Sequence, residues 1–222
     1  MTAAPPSSRS RVKRLPERAA YDRATVDAIL DEGFLCHVAF ATDGQPFVIP
    51  TVYGRLGDSL YLHGSSASRM LRTLAGGVEA SVCVTHVDGL VLARSAFHHS
   101  VNFRSVVLFG TATEVIDPSE KQRALQAIVE HIVPQRWQDV RGPSAQELRR
   151  TCVLQLALDE ASAKLRSGPP LDDEEDYGLG CWAGVIPMRI EYADPVDDPR
   201  LASGVECPDY VTGYRRPGSS HS

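Results

Sequence analysis

The sequence is organised around residues 46–70, which read PFVIPTVYGRLGDSLYLHGSSASRM. The first part is rich in β-branched and aromatic residues, a Gly-Asp turn follows, and residues 59–63 resume an extended pattern, so the stretch predicts a β-hairpin. Small residues then lead to Ser68 and Arg69 at the start of a helix. Backbone N–H groups and an arginine at that point suit an anionic head group. The simpler alternative is that a serine caps the helix and the arginine is solvated.

Composition excludes several classes of protein. A net charge of −5 argues against a general nucleic-acid binder, and without a run of about 18 apolar residues no membrane span is expected. The N-terminal residues include basic side chains but no apolar stretch after them, so no secretory signal is expected. The five cysteines are odd in number and widely spaced, which is typical of free thiols. The sequence therefore predicts a reduced, cytoplasmic protein.

Length and local composition divide the chain into three parts. Residues 1–18 are rich in proline, serine and arginine and predict a disordered arm. Residues 19–194 fit one sizeable domain, and residues 195–222 form a polar tail that is rich in proline and glycine.

Within the domain, short strands alternate with tight turns. Asp43-Gly44 and Asp88-Gly89 are each predicted to be hairpin turns, and Gly110 is predicted to mark a bulge or a close approach in a long strand over 103–115. A last strand is predicted over 182–192. Amphipathic helices interrupt the strands without forming regular crossovers. The pattern favours a mainly β (α+β) fold, a β-barrel or strongly curved sheet with peripheral helices.

Four pieces of sequence resemble the FMN-binding split barrel of the pyridoxamine 5′-phosphate oxidase superfamily. They are FVIPTV at 47–52, YLHG followed by Ser68-Arg69-Met70, RSVVLFGTA at 104–112, and WAGVIPMRIEY at 182–192. The phrases HHSVNFRSVV and WAGVIP are similar to the flavin-nucleotide-binding branch, which includes nitroimidazole-resistance proteins. The resemblance covers about Thr25 to Tyr192 and implies an antiparallel split β-barrel with peripheral helices.

The resemblance also implies FMN bound at the interface of a homodimer, with both subunits lining each site. It implies that the backbone of Ile49, Pro50, Thr51 and Val52 lies beneath the flavin ring and that Leu62 and His63 lie beside the ribityl chain. Ser68 and Arg69 would bind the phosphate, and Arg104 or Ser105 would face the isoalloxazine or the phosphate. Trp182 would cover the flavin from the partner subunit.

Two departures bear on chemistry. The lysine that follows Ser-Arg in the oxidases is Met70, and their C-terminal RLHDR motif has no counterpart, which argues against true pyridoxamine 5′-phosphate oxidase activity. We therefore expect an FMN-dependent oxidoreductase that acts on a small molecule. The alternatives are a non-catalytic flavin store or sensor, and a split barrel that uses deazaflavin or haem, for which His63 is a candidate ligand.

The adjacent His98 and His99 are candidate catalytic residues, because one of them could donate a proton near the flavin. On a strand the two side chains would point to opposite faces, so both could not enter one site. Hydrogen bonding at a dimer interface is the alternative role. No cysteine stands beside them at metal-ligand spacing, and no metal site is expected.

Overall fold

A computed structural model describes residues 3–216. Its centre is one sheet of ten strands in which every pairing between strands is antiparallel. The strands are β1 (Ala19–Ala20), β2 (Leu35–Thr42), β3 (Gln45–Leu56), β4 (Ser59–Ser65), β5 (Glu79–Leu92), β6 (Ser100–Thr111), β7 (Thr113–Glu114), β8 (Thr151–Ala157), β9 (Ala161–Arg166) and β10 (Gly184–Pro187). The order across the sheet is β1-β9-β6-β5-β2-β3-β4-β8-β7, and β10 pairs with β5.

Helices lie around the sheet, and in all but the last of them a side chain at the N-cap position bonds the first turn. They are α1 (Arg23–Glu32), α2 (Arg69–Ala75), α3 (Pro118–Ile132), α4 (Ala145–Arg150) and α5 (Asp209–Thr212). Asp22 accepts from the backbone of Thr25, and Asp117 accepts from the first turn of α3, where proline occupies the first helical position. The mainly β split barrel with peripheral helices is confirmed. None of the helices within residues 3–216 is long and apolar enough to cross a bilayer.

The core fills the inner face of the curved sheet. Alternate residues of β2 (Cys36, Val38 and Phe40) point inward and are buried, as are Leu60 and Leu62 of β4. The buried side of α1 covers one end of this core. Because side chains alternate along a strand, the intervening residues of β2 and β3 lie on the outer face of the sheet, where α3 packs against the Gly54 end of β3.

The two Asp-Gly dipeptides behave differently. Asp43 and Gly44 both have positive φ, 51° and 74°, and they join β2 to β3 as predicted. The hairpin turn predicted at Asp88-Gly89 is wrong, because β5 runs through it with a register shift between Val87 and Gly89. A Cβ on Gly89 would lie 3.0 Å from the carbonyl oxygen of Ile186, so this glycine permits β10 to approach β5 closely.

Two further strand predictions are corrected. Gly110 lies in β6 without a register shift, and a Cβ there would meet nothing within 4 Å, so it marks neither a bulge nor a close approach. The close approach occurs at Gly54 in β3, where a Cβ would lie 2.6 Å from the Cα of Ile128 in α3. The strand predicted over 182–192 is limited to β10, which pairs with residues 89–92 of β5.

Both terminal segments contact the domain within the described residues, where the sequence predicted a disordered arm and a polar tail. Arg9 bonds Glu79 at 2.9 Å and, through Nε, Glu160 at 2.8 Å. At the other end, the buried guanidinium of Arg216 donates to backbone carbonyls that end α1 and α3. These charged side chains find partners that are distant in sequence, which local composition does not reveal.

Candidate functional site

The barrel opens between β3 and β4. The two strands pair only from Tyr53–Leu56 to Ser59–Leu62, whereas residues 45–52 of β3 pair with β2 alone. The second edge of β3 is therefore unpaired over this length. Beyond its last residue paired with β4, β3 borders a wedge between the two strands. Ser65 at the end of β4 and the start of α2 lie at the mouth of that wedge.

The two prolines of β3 indicate which backbone groups face the wedge. Pro46 and Pro50 have no N–H and are tolerated in a sheet where that side of the strand is unpaired. The N–H and C=O of one residue point to the same side of a strand, so Val48 and Val52 also direct theirs to the open edge. The odd residues face β2, in agreement with the bond from the Tyr53 N–H to the Phe34 carbonyl at 3.1 Å.

This alternation divides the four residues predicted to lie beneath the flavin ring into two sets. Val52 can donate and accept at the open edge, and Pro50 can only accept there, whereas the backbones of Ile49 and Thr51 face β2. The Ile49 side chain also packs against the core. An extended ligand along this edge would therefore meet backbone groups from every second residue.

Arg69 supplies a positive charge at the mouth of the wedge. Its guanidinium carbon lies 4.2 Å from the centre of the Phe47 ring, in cation–π contact with β3. Within residues 3–216 no carboxylate forms an ion pair with it. Ser68 is the N-cap of α2 and its hydroxyl accepts from the N–H of Leu71 at 3.5 Å, so the capping interpretation of this serine holds. Capping leaves the hydroxyl proton of Ser68 free to be donated.

Two residues at the end of β4 were predicted to lie beside the ribityl chain. The side chain of Leu62 is fully buried in the core, so only its backbone could contact a ligand. His63 lies on the opposite face of the strand, next to the open edge. Its Nδ1 is buried and makes no hydrogen bond to any described residue, and burial lowers the pKa of the imidazole. A neutral imidazole with an unused nitrogen is suited to binding a metal or a proton donor.

Arg104 and Ser105 point to opposite faces of β6. Arg104 points to the α1 side of the sheet, where it donates to Glu32 at 2.8 Å and to Asp88 at 2.7 and 2.9 Å. The hydrogen bonds to these two carboxylates, Glu32 first, raise the pKa of Arg104 and leave its charge compensated. Ser105 lies on the outer face and donates to the Lys164 carbonyl at 3.3 Å. Of the two alternatives, Ser105 is the one placed on the outer surface of the sheet.

The outer face connects β3 to β6. Pairing places Pro50 beside His37, His37 beside Cys83, and Cys83 beside Val107 in one row across four strands. Three strand spacings separate the ends of this row by about 14 Å. Val48 is 61% exposed on this face. Trp182, which precedes β10, is 67% exposed and its ring lies against Gly184.

The histidine pair makes local hydrogen bonds. His98 Nε2 lies 3.2 Å from a carboxylate oxygen of Asp173, and His99 Nδ1 lies 3.0 Å from the Ser95 carbonyl. His98, Asp173 and Asp176 offer three atoms within 4.8 Å of one another, an arrangement that exposed acidic loops often adopt without an ion. The pair ends a 3-10 turn at Ala96–His98, and neither side chain contacts β3 or β4 through a hydrogen bond.

Sequence reasoning missed three features of the site. Phe47, whose ring contacts the guanidinium of Arg69, was interpreted only as a strand residue. The unpaired edge of β3 was also missed, although two prolines of the same parity in a strand are a signal for it. The role of Asn102 was missed as well: its amide donates to the Gly168 carbonyl at 3.1 Å and ties the histidine motif to the loop after β9.

Comparison with known proteins places the chain in a family. The family model described as pyridoxamine 5′-phosphate oxidase matches residues 22–165. Among curated proteins, none matches the chain. The chain belongs to the pyridoxamine 5′-phosphate oxidase family of split barrels, which confirms the resemblance seen in the sequence.

Three solved structures illustrate the range of similarity. The flavocytochrome Anf3 from Azotobacter vinelandii is 44% identical, with a TM-score of 0.90 over 95% of this chain and 98% of that chain. The FAD and heme binding protein from Mycobacterium smegmatis is 40% identical, with a TM-score of 0.85 over 88% of this chain and 96% of that chain. A putative 5-nitroimidazole antibiotic resistance protein from Bacteroides thetaiotaomicron is 25% identical, with a TM-score of 0.52 over 66% and 85%.

Proposed function

We propose that this protein binds a flavin nucleotide along the open edge of β3 and acts as an oxidoreductase on a small molecule. The observation that carries the proposal is 44% and 40% identity over nearly the whole chain to a flavocytochrome and to a protein that binds FAD and haem. The wedge fits such a ligand, because it combines unpaired strand backbone with Arg69, a cation that has no carboxylate partner among residues 3–216. A bound flavin would supply hydride and single-electron chemistry there.

Each element of the wedge has a separate task in this proposal. Arg69 and the Ser68 hydroxyl would bind the phosphate, for which a guanidinium fork and a hydroxyl donor are well suited. Val52 would donate its N–H to the polar edge of the ring, and Pro50 and Val48 would offer apolar surface to its face. Ser105 stays a prediction for a ring contact from the outer face, and Trp182 stays a prediction for a lid from the partner subunit.

FMN was the cofactor expected from the superfamily, but the Mycobacterium smegmatis relative is described as binding FAD. We therefore favour FAD. Chromatography of the flavin released by heat denaturation distinguishes the two, because FAD carries an additional adenylate. A deazaflavin in place of either nucleotide would contradict this part of the proposal.

Haem is a second cofactor that we propose, because one residue of this chain is suited to bind it. Two relatives at 40% identity or more are described as a flavocytochrome and as a haem-binding protein. In this chain the neutral His63, with a buried and unbonded Nδ1, has the chemistry of an axial ligand. We propose His63 as that ligand, with His63→Ala removing the Soret band while a His86→Ala variant retains it.

The absorbance spectrum of the protein as isolated tests these assignments first. Flavin bands together with a Soret band are expected, and colourless protein that takes up neither cofactor would overturn the proposal. Anaerobic mixing with NADH or NADPH then separates an enzyme from a flavin store or sensor, since only an enzyme bleaches the flavin within its turnover time. Oxidation of pyridoxamine 5′-phosphate is not part of the proposal, because the substrate motif of the oxidases has no counterpart.

We also propose a homodimer, supported by the apolar outer face. Leu35 and Val48 are 47% and 61% exposed there, and the segment after β9 exposes several further large apolar side chains. A second copy that covers this face would place two flavin sites at the interface. Sedimentation that returns only the monomer mass would contradict this assembly.

The free cysteines fit a cytoplasmic location.

A further inference from the structure

Arg166, the last residue of β9, is a buried cation surrounded by neutral acceptors. It is 7% exposed, and its terminal nitrogens donate to the Asn102 side-chain oxygen, to the Gly168 carbonyl at 3.2 Å and to the Pro169 carbonyl at 3.0 Å. These bonds hold the loop after β9, but none of them brings a negative charge. A buried charge without a counter-ion is costly, and it is retained only when other contacts or a ligand compensate it.

One nitrogen of this guanidinium remains without a partner among the described residues. The Nε of Arg166 is buried and makes no hydrogen bond to any residue in the described part of the chain. No carboxylate within residues 3–216 forms an ion pair with Arg166. A purely structural role for Arg166 explains the two terminal nitrogens but leaves Nε without a purpose.

A second cation lies beside the first. Burial, followed by the like charge of Arg18, lowers the pKa of Arg166. Ala19 pairs with Lys164 in the β1–β9 ladder, so the chain delivers Arg18 to the end of β9. The Arg18 side chain has no hydrogen bond or ion pair within residues 3–216, and its neighbour Glu17 pairs with neither arginine.

A third positive charge is fixed nearby. Lys164 Nζ donates to the carbonyl of Arg14 at 3.1 Å, which fastens the N-terminal segment to β9. Three cations therefore converge where the N-terminal segment meets the end of β9, in a protein whose net charge is −5. Like charges held together in a partly buried place repel one another unless an anion lies between them.

We propose that Arg166 and Arg18 form a binding site for an oxyanion of the phosphate or carboxylate type. The unpaired Nε–H of Arg166 and the planar guanidinium of Arg18 offer N–H donors that suit the oxygens of such groups. The oxyanion could be a free phosphate compound, the phosphate of a bound flavin or the propionate of a bound haem. The site itself does not depend on the proposed function, because inorganic phosphate alone is a sufficient probe.

Thermal unfolding of cofactor-free protein in inorganic phosphate, compared with chloride at equal ionic strength, tests the site. A ligand that binds the native state raises Tm, and saturating phosphate is expected to raise it by about 3 °C in this chain. Arg18→Gln is expected to abolish the rise, and Arg166→Met should do the same if it folds. Arg11→Gln is the matched control, since Arg11 is an exposed cation of the same segment without a described partner, and the rise should persist.

The outcomes separate the possibilities. Equal Tm values in phosphate and chloride for the unaltered protein, or an undiminished rise in Arg18→Gln, would overturn the site. If reconstitution with FAD or with haemin removes the phosphate response, that cofactor supplies the oxyanion; if the response survives both, the site takes a free oxyanion. Failure of the protein to take up flavin leaves the phosphate titration unaffected, so the two proposals fail independently.

Discussion

The guanidinium of Arg69 lies over the ring of Phe47, 4.2 Å from its centre, and so connects the start of α2 to the open strand β3. This contact holds a cation at the mouth of the wedge without neutralising it. An aromatic face attracts the charge only weakly, by about 0.5–1 kcal/mol at an exposed site, so an arriving phosphate can compete for it. The relationship gives a direct test of where the flavin phosphate binds.

Arg69→Ala is expected to weaken flavin binding by roughly 10- to 100-fold, which corresponds to the loss of about 1.5–3 kcal/mol from a charge-assisted hydrogen bond. Fluorescence titration of the cofactor-free protein with FAD and with FMN measures the change. Arg72→Ala is the matched control, because Arg72 is exposed near the opposite end of α2, and its substitution should leave the affinity unchanged. Equal losses in the two variants would point to net charge alone rather than to a phosphate contact.

Two glycines in strands provide a matched pair for stability. A Cβ at Gly54 would lie 2.6 Å from the Cα and 2.8 Å from the backbone nitrogen of Ile128, and a helix backbone cannot yield as a flexible side chain can. Gly54→Ala is therefore expected to destabilise the protein by about 3 kcal/mol through the displacement of α3. Urea denaturation measures the difference.

Gly110→Ala is the control for that variant. A Cβ at Gly110 meets nothing within 4 Å, and its backbone is ordinary strand. Alanine in a strand interior restricts the unfolded chain, so Gly110→Ala is expected to stabilise the protein by up to about 0.5–1 kcal/mol. Similar losses for both glycines would show that the contact with α3 does not decide the cost at Gly54.

The contrast between these glycines indicates how far sequence reasoning reaches. Asp43-Gly44 and Asp88-Gly89 carry the same local signal, but only the first is a hairpin turn. At Gly89 the glycine is needed because β10, far along the chain, passes against it. Local patterns predicted the helices, their caps and most strands, since capping and alternation depend on near neighbours. Close approaches depend on distant partners and were assigned to the wrong glycine.

The candidate site divides in the same way. Motif order was sufficient to identify the family and to place Ser68 and Arg69 at a helix start. Motif order could not separate Arg104 from Ser105, because that choice requires the register of β6 and the positions of Glu32 and Asp88. The proximity of the segments that carry Arg18 and Arg166 was likewise hidden, since the β1–β9 ladder brings them together.

Arg216 tests whether the C-terminal segment contributes to stability. Its guanidinium donates to the Glu32 carbonyl at 2.8 Å and to the Asp31 and Gly33 carbonyls at 2.6 Å, which are the last acceptors of α1. Arg216→Ala removes a donor from each of these carbonyls, leaves His131 as the donor to Gly33, and is expected to cost about 2–3 kcal/mol. Arg215→Ala is the control, because Arg215 bonds only the carbonyl of its own neighbour. An unchanged denaturation midpoint in Arg216→Ala would contradict a stabilising role for these hydrogen bonds.

His131, which bonds the same Gly33 carbonyl as Arg216, makes the stability of the protein depend on pH. Its Nε2 lies 2.8 Å from the Gly33 carbonyl, and burial, reinforced by the charge of Arg216, lowers the pKa of the imidazole to about 4. The ordinary pKa of a histidine is about 6.5, so between these values the unfolded chain binds a proton that the folded chain does not. The contribution of His131 is therefore fully present above about pH 6.5 and is lost as the pH falls through about 4. The difference between the two pKa values corresponds to about 3 kcal/mol of the free energy of unfolding.

A His131→Gln variant isolates this term from the carboxylates that titrate over the same range. Its amide can still donate to the Gly33 carbonyl but does not ionise, whereas the carboxylates are common to both proteins. Urea denaturation at intervals from pH 4 to pH 7.5 should show the wild type losing about 3 kcal/mol more than the variant, with the divergence beginning near pH 6.5. Parallel curves for the two proteins would mean that His131 gains its proton in the folded state as readily as in the unfolded chain.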